Sequence, residues 1–135
     1  MDYQTVLTIC PYCGCGCSLY LEVLNGRAVG VIPAGGSRQN DGKLCIKGWN
    51  AHQFIHNANR LTHPLLRKQG HLCRVSWDEA LDFVAARLQK IISAAGSDSI
   101  AFMASAKMTN EENYLLQKFA RTCIGTNNID HCARL

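Results

Sequence analysis

The sequence predicts an α+β protein: a small β-rich module over about residues 1–60, then the start of an α/β domain with a parallel sheet over 61–135. Three observations predict it. Asn25-Gly26 stands between two apolar runs of period two, a strong short-range hairpin signal because both residues tolerate positive φ. Five of the eight cysteines fall within the first 45 residues, so the front is rich in ligands and the back is ordinary. The back holds two capping boxes, each opening a run of helical period, with a compact apolar segment between them.

Taken in order, Val6–Ile9 reads as a short strand entering the cysteine run. Leu19, Leu21 and Val23 form the next strand, and Ala28–Ile32 returns after the turn. Gly35-Gly36-Ser37 and Asn40-Asp41-Gly42 read as a polar loop. A short helix is expected near Gly48–Asn57, and Thr62-His63-Pro64 reads as a linker. Ser76 and Glu79 cap a helix carrying Trp77, Ala80, Leu81, Val84, Ala85, Leu88, Ile91 and Ile92 on one face, up to Gly96. Ser99–Ala104 reads as a strand. Thr109 and Glu112 cap a second helix, with Leu115, Leu116, Phe119, Ala120 and Cys123 on its apolar face up to Gly125. Asn128–Asp130 reads as a last strand. Two strands cannot cover two helices, so the sheet is expected to leave edges that need partners.

Composition narrows the function. With 47% hydrophobic and 18% charged residues, the chain is globular rather than disordered. Its net charge of +4 is too small and too dispersed to indicate nucleic acid. No apolar run reaches the length of a membrane span, and Met1-Asp2-Tyr3-Gln4 lacks the basic and apolar regions of an export signal. The expected compartment is the cytoplasm, where clustered thiols are more often metal ligands than disulfides.

The chemistry lies in Cys10, Cys13, Cys17 and Cys45. Three sulfurs within eight residues and a fourth after a gap of 27 suit a cubane iron–sulfur cluster, which takes one thiolate per iron. A structural zinc site more often offers two matched pairs. Cys10 and Cys13 with His52 and His56 imitate such a set, but 38 residues separate the pairs, so the two histidines are expected on a helix flank. Cys15, flanked by Gly14 and Gly16, could replace a neighbouring ligand and is expected to lie beside the cluster without binding it. Lys47, two residues beyond Cys45, is either a surface lysine or a cation raising the potential of the cluster. Cys73 and Cys123 are expected to be packing residues.

Cys-Pro-Tyr-Cys-Gly-Cys-Gly-Cys at 10–17, Leu-Cys-Ile-Lys-Gly at 44–48, Val-Ser-Trp-Asp-Glu-Ala-Leu at 75–81 and Gly-Thr-Asn-Asn-Ile-Asp-His-Cys-Ala-Arg-Leu at 125–135 occur in this order. Together they resemble the N-terminal part of the molybdenum or tungsten oxidoreductases that bind two pyranopterin guanine dinucleotides. The last motif is most similar to that of formate dehydrogenase catalytic subunits.

The resemblance implies that Cys10, Cys13, Cys17 and Cys45 hold a [4Fe-4S] cluster and that Lys47 relays electrons between it and a pterin. It implies a parent that interconverts formate and carbon dioxide and passes electrons to iron–sulfur, diaphorase or hydrogenase subunits. The rest of the catalytic subunit is then the first partner. Cys132 is the motif's own cysteine; in that family the selenocysteine or cysteine that binds molybdenum or tungsten follows the position of Leu135. The chain alone is therefore expected to be inactive. An open reading frame closed at a UGA codon that cells decode as selenocysteine is the expectation for its end, with a deliberate cut as the alternative. A nitrate reductase, a stand-alone ferredoxin-like carrier and a zinc structural module are the competing functional readings.

Overall fold

The computed structural model describes residues 1–132. Ala133, Arg134 and Leu135, the end of the motif at 125–135, lie outside the described residues. The chain forms two compact units: Met1–Arg60 with Ala104–Leu115 and the chain from His131, and Leu61–Met103 with Leu116–Asp130.

In the first unit β1 (Tyr3–Ile9), β2 (Ser18–Leu24) and β3 (Arg27–Pro33) form an antiparallel sheet in that order. Asn25 and Gly26 adopt φ of 48° and 76° and close the β2–β3 hairpin, with Leu24 opposite Arg27. That is the double positive φ of a type I′ turn. β1 begins three residues before the apolar run that announces it, because pairing with β2 runs from Tyr3–Leu24 to Ile9–Ser18. The cysteine run is thus the loop of a second hairpin. Beneath it Cys10, Leu19, Val31 and Ala51 form the buried core, with Tyr12, Cys17, Leu21 and Leu44 packed against it. The loop after β3 uses positive φ at Gly36, Asp41 and Gly42 before Cys45.

Helix α1 covers only Ile46–Trp49, shorter than the expected 48–57. Residues 50–56 continue as turns. Asn50 causes part of this, since its side-chain amide donates to the Ile46 carbonyl at 2.7 Å and competes with the helix ladder. His52 and His56 therefore do not sit on a helix. His56 Nε2 accepts the Ala28 N–H at 3.0 Å, tying these turns to β3, while His52 Nδ1 is buried without a hydrogen-bond partner.

In the second unit β4 (Leu65–Lys68) and β5 (His71–Arg74) form a hairpin just after the expected linker Thr62-His63-Pro64, where the sequence announced no element. Its turn is Gln69-Gly70, with φ of 50° and 85°. Glutamine rarely starts such a turn, which hid it. Helix α2 (Trp77–Ala95) starts where the capping box places it, and the Glu79 N–H donates to Ser76 Oγ at 3.1 Å. The box is half formed, because the Glu79 carboxylate pairs with Lys68 Nζ of β4 at 2.5 Å instead. Much of the apolar face of α2 is uncovered within this unit: Trp77, Leu81 and Val84 are all exposed. Gly96, at φ 79°, ends the helix and a 3-10 turn, Ser97–Ser99, follows.

Strand β6 (Phe102–Ser105) pairs with β7 (Ile129–Cys132), and α3 (Asn110–Lys118) lies between them in sequence. Both strands sit later than expected, since the 3-10 turn and the Thr126–Asn128 loop occupy the predicted starts. The second capping box is complete: Glu112 N–H donates to Thr109 Oγ1 at 3.2 Å and Thr109 N–H donates to Glu112 Oε2 at 2.8 Å. The expected helix changes to a π-helical turn over Phe119–Ile124 before Gly125, at φ 81°, stops it. The changed winding leaves the Cys123 thiol exposed, so it is not the packing residue that strict helical spacing suggested. Thr126 is 2% exposed, and its hydroxyl donates to Asp98 Oδ1 at 2.9 Å. Asn128 adds a bond to the Asp98 carbonyl, locking the Gly-Thr-Asn-Asn segment in place.

Candidate iron–sulfur site

Each sulfur is positioned by local chain geometry. The Cys10 N–H donates to the Cys17 carbonyl at 2.8 Å, the last rung of the β1–β2 ladder. Inside that rung the Gly16 N–H reaches back to the Cys13 carbonyl at 3.4 Å. Gly16, at φ 64°, supplies a left-handed conformation that side chains seldom adopt. Cys45 arrives from the long loop as the residue before α1. Asn40 holds that loop to the front sheet by accepting the Ser18 N–H and donating to the carbonyls of Ser18 and Lys43.

Cys10, Cys13, Cys17, Cys45 and Lys47 all line one largely enclosed cavity of about 80 Å³, completed by Tyr12, Leu44, Gly48 and Ala106. All five residues singled out in the sequence meet there. Tyr12, Leu44 and Gly48 fall inside the cysteine motifs but, like Ala106, had no role assigned from the sequence, because Tyr, Leu, Gly and Ala become wall groups only once the loops fold. Gly48 could have been anticipated from Cys-x2-Gly. A Cβ there would sit 3.1 Å from Leu44 Cδ2, so the small residue lets α1 approach the loop.

The cavity's electrostatics suit anionic sulfur on one side. The backbone N–H groups of Gly48 and Lys47 aim at Cys45 Sγ and hold its pKa below the ordinary 9.0. Burial pushes Cys10 up, and burial with the neighbouring Cys15 thiol pushes Cys17 up to about 11. Both thiols are thus biased toward the protonated form. No three His, Cys, Asp or Glu among the described residues converge as they would on one metal ion. The four thiols surround a space instead, and the donor set fits a thiolate-bound cluster, with backbone N–H groups free to bond sulfur.

Lys47 is half-buried and shared with a second, open groove of about 610 Å³, also lined by Tyr12, Asn50, Gln53, Phe54 and Arg60. Tyr12 packs edge-on against Phe54 at 6.1 Å, and the Arg60 guanidinium lies 4.9 Å from the Phe54 ring centre. The groove offers aromatic faces, side-chain amides and two cations. Cys15 is exposed and does not line the cavity, although its sulfur touches that of Cys17. Cys73 is half-buried in β5 of the second unit. Cys132, at the end of β7, contacts Ser105 Oγ at 3.5 Å. That hydroxyl and the Ala106 N–H lower its pKa.

Residues 3–57 match the molybdopterin oxidoreductase Fe4S4 domain, and residues 60–135 match the molybdopterin oxidoreductase family. The chain is 49% identical, over all of its 135 residues, to the alpha subunit of F420-dependent formate dehydrogenase 1 of Methanococcus maripaludis. It is 47% identical to formate dehydrogenase H of Escherichia coli, with 98% of the chain covered. It spans 19% of the length of each of these relatives. Acetylene hydratase from Pelobacter acetylenicus shares the fold, with a TM-score of 0.72 over 93% of this chain and 18% of its own, at 24% identity. No helix among the described residues is long and apolar enough to cross a membrane. By these matches, which together run almost from end to end, the chain belongs to the molybdopterin oxidoreductase family.

Proposed function

We propose that this chain is the electron-relay portion of a formate dehydrogenase catalytic subunit, with Cys10, Cys13, Cys17 and Cys45 holding a [4Fe-4S] cluster and Lys47 bridging it to a pterin. Residues 1–60 form the cluster module and 61–135 begin the pterin-binding α/β domain. The observation that carries this reading is Lys47, a wall residue of both the four-cysteine cavity and the aromatic, amide-lined groove. Formate as substrate is supported by the relatives, formate dehydrogenases that match 98–100% of this chain.

A molybdenum or tungsten bis-pyranopterin would supply the oxidation of formate to carbon dioxide, and a cluster held by Cys10, Cys13, Cys17 and Cys45 would supply one-electron transfer. The chain's own residues set the conditions for that transfer. Cys45, with its anion stabilised by two backbone N–H groups, is the ligand best prepared to bind iron first. Cys10 is buried and Cys17 half-buried, which limits the access of water to that side of the cavity. The Lys47 ammonium adds positive charge beside both compartments and favours the reduced cluster. The groove's aromatic rings and amides suit a flat, hydrogen-bonding heterocycle. The remainder of the subunit and iron–sulfur, diaphorase or hydrogenase subunits are the proposed partners. The cytoplasm is the proposed compartment, because thiol ligands must stay reduced before the metal is loaded.

The test is formate-driven reduction of the cluster in the full-length subunit, followed by electron paramagnetic resonance. Lys47→Gln should keep the iron and acid-labile sulfide but slow that reduction by about tenfold or more, equivalent to roughly 1.4 kcal/mol of barrier. An unchanged rate overturns the role of Lys47. Zinc without sulfide in the unaltered protein overturns the cluster assignment.

A further inference from the structure

We propose that Cys15 is a reserve ligand for the iron that Cys17 holds, so that the two sulfurs form an exchangeable pair at one corner of the cluster. This rests on the cluster reading above. Residues two apart on a strand share a face, but their positions are separated by about 6.6 Å. Here the chain is not extended. The Cys13–Gly16 turn and the left-handed Gly16 fold it, and Cys15 Sγ lies 3.5 Å from Cys17 Sγ. Two thiolates on one tetrahedral metal ion, with bonds of about 2.3 Å, stand about 3.8 Å apart. The pair therefore already has the spacing of two sulfurs that can reach the same iron.

The surroundings permit the exchange. Nothing lies within 4 Å of a Cβ built at Gly16, while on the other side of Cys15 the Asn110 amide holds the Gly14 carbonyl at 2.9 Å, so the open space is on the Cys17 side of the pair. Cys15 is exposed and Cys17 half-buried, so Cys15 meets the metal from the solvent side. In the exchange an iron–sulfur bond forms to Cys15 and the one to Cys17 breaks. The proton leaving the Cys15 thiol passes across the sulfur–sulfur contact to Cys17. The iron keeps its oxidation state, and no redox partner is needed.

The test compares the full chain with Cys15→Ala, Cys17→Ala, the double variant and Cys10→Ala after anaerobic reconstitution. Iron, acid-labile sulfide and the resonance signal of the reduced cluster are measured, with circular dichroism to check folding. Cys15→Ala and Cys17→Ala should keep most of the iron and sulfide, while the double variant and Cys10→Ala lose them several-fold. In reconstituted Cys17→Ala, Cys15 should resist alkylation, whereas in the unaltered chain it should react. If Cys17→Ala is as iron-poor as the double variant, or its Cys15 alkylates freely, Cys15 is not a ligand. If the unaltered chain takes up no iron with sulfide, the cluster reading fails first and this inference with it.

Discussion

The Asn40 side chain bonds both backbone groups of Ser18, accepting its N–H at 3.0 Å and donating at 3.1 Å to its carbonyl, which also accepts the Ala34 N–H at 3.1 Å. One amide thus acts as an extra strand residue. It joins the loop that ends in Cys45 to the residue immediately after Cys17. The same amide nitrogen donates to the Lys43 carbonyl at 2.9 Å, so the loop is also tied to itself.

Asn40→Ala should therefore destabilise the chain by about 1–3 kcal/mol, the range for leaving a partly buried backbone donor, here the Ser18 N–H, unpaired. Asn40→Asp keeps the acceptor for the Ser18 N–H but loses both donations, and should fall between the two. Urea unfolding checks the order. Iron uptake should fall in parallel, because Cys45 loses its anchor; equal stability of all three proteins would show that the clamp contributes nothing.

The thiols should differ in reactivity in the metal-free chain. Cys45 lies below the ordinary 9.0 and Cys17 stands at about 11, so at pH 8 Cys45 carries far more thiolate and alkylates first. Cys132, lowered and exposed, should follow the fast group. Quantitative mass spectrometry after a short iodoacetamide pulse reads the order, and the gap should close as pH approaches 11. The linkage has opposite signs at the two sites. Cys45 stabilises the fold above its unfolded pKa, and that contribution is lost as pH falls through its lowered folded value. Cys17 stabilises below 9.0, a contribution lost as pH rises through about 11.

The two capping boxes should not be equal. Thr109→Ala breaks a reciprocal pair and should cost about 1–2 kcal/mol. Ser76→Ala removes a single bond to the Glu79 N–H and should cost nearer 0.5–1 kcal/mol. Thermal unfolding of the two variants distinguishes them, and a larger loss for Ser76→Ala would contradict the geometry.

Much of the fold was legible because its signals are local. Asn25-Gly26, Ser76, Thr109, Gly96 and Gly125 act through their own φ angles or through hydrogen bonds to residues three or four away. The β4–β5 hairpin was hidden because Gln69 carries no turn preference, and its strands are only four residues long. The π-helical turn was hidden because a shift from i−4 to i−5 bonding leaves no trace in apolar spacing. It moved Cys123 from the expected packed face into solvent.

For the site, residue chemistry and spacing nominated Cys10, Cys13, Cys17 and Cys45, because sulfur ligands are few and their intervals are constrained by cluster geometry, whereas Lys47 gained its relay role only through the family resemblance. Tertiary structure decided what surrounds them. It brought Tyr12, Leu44, Gly48 and Ala106 to the cavity wall, placed Lys47 on two compartments and set Cys15 against Cys17. Those relationships depend on loop closure across tens of residues, through contacts such as Asn40 with Ser18. A wall formed by side chains of no special chemistry exists only after the chain has folded.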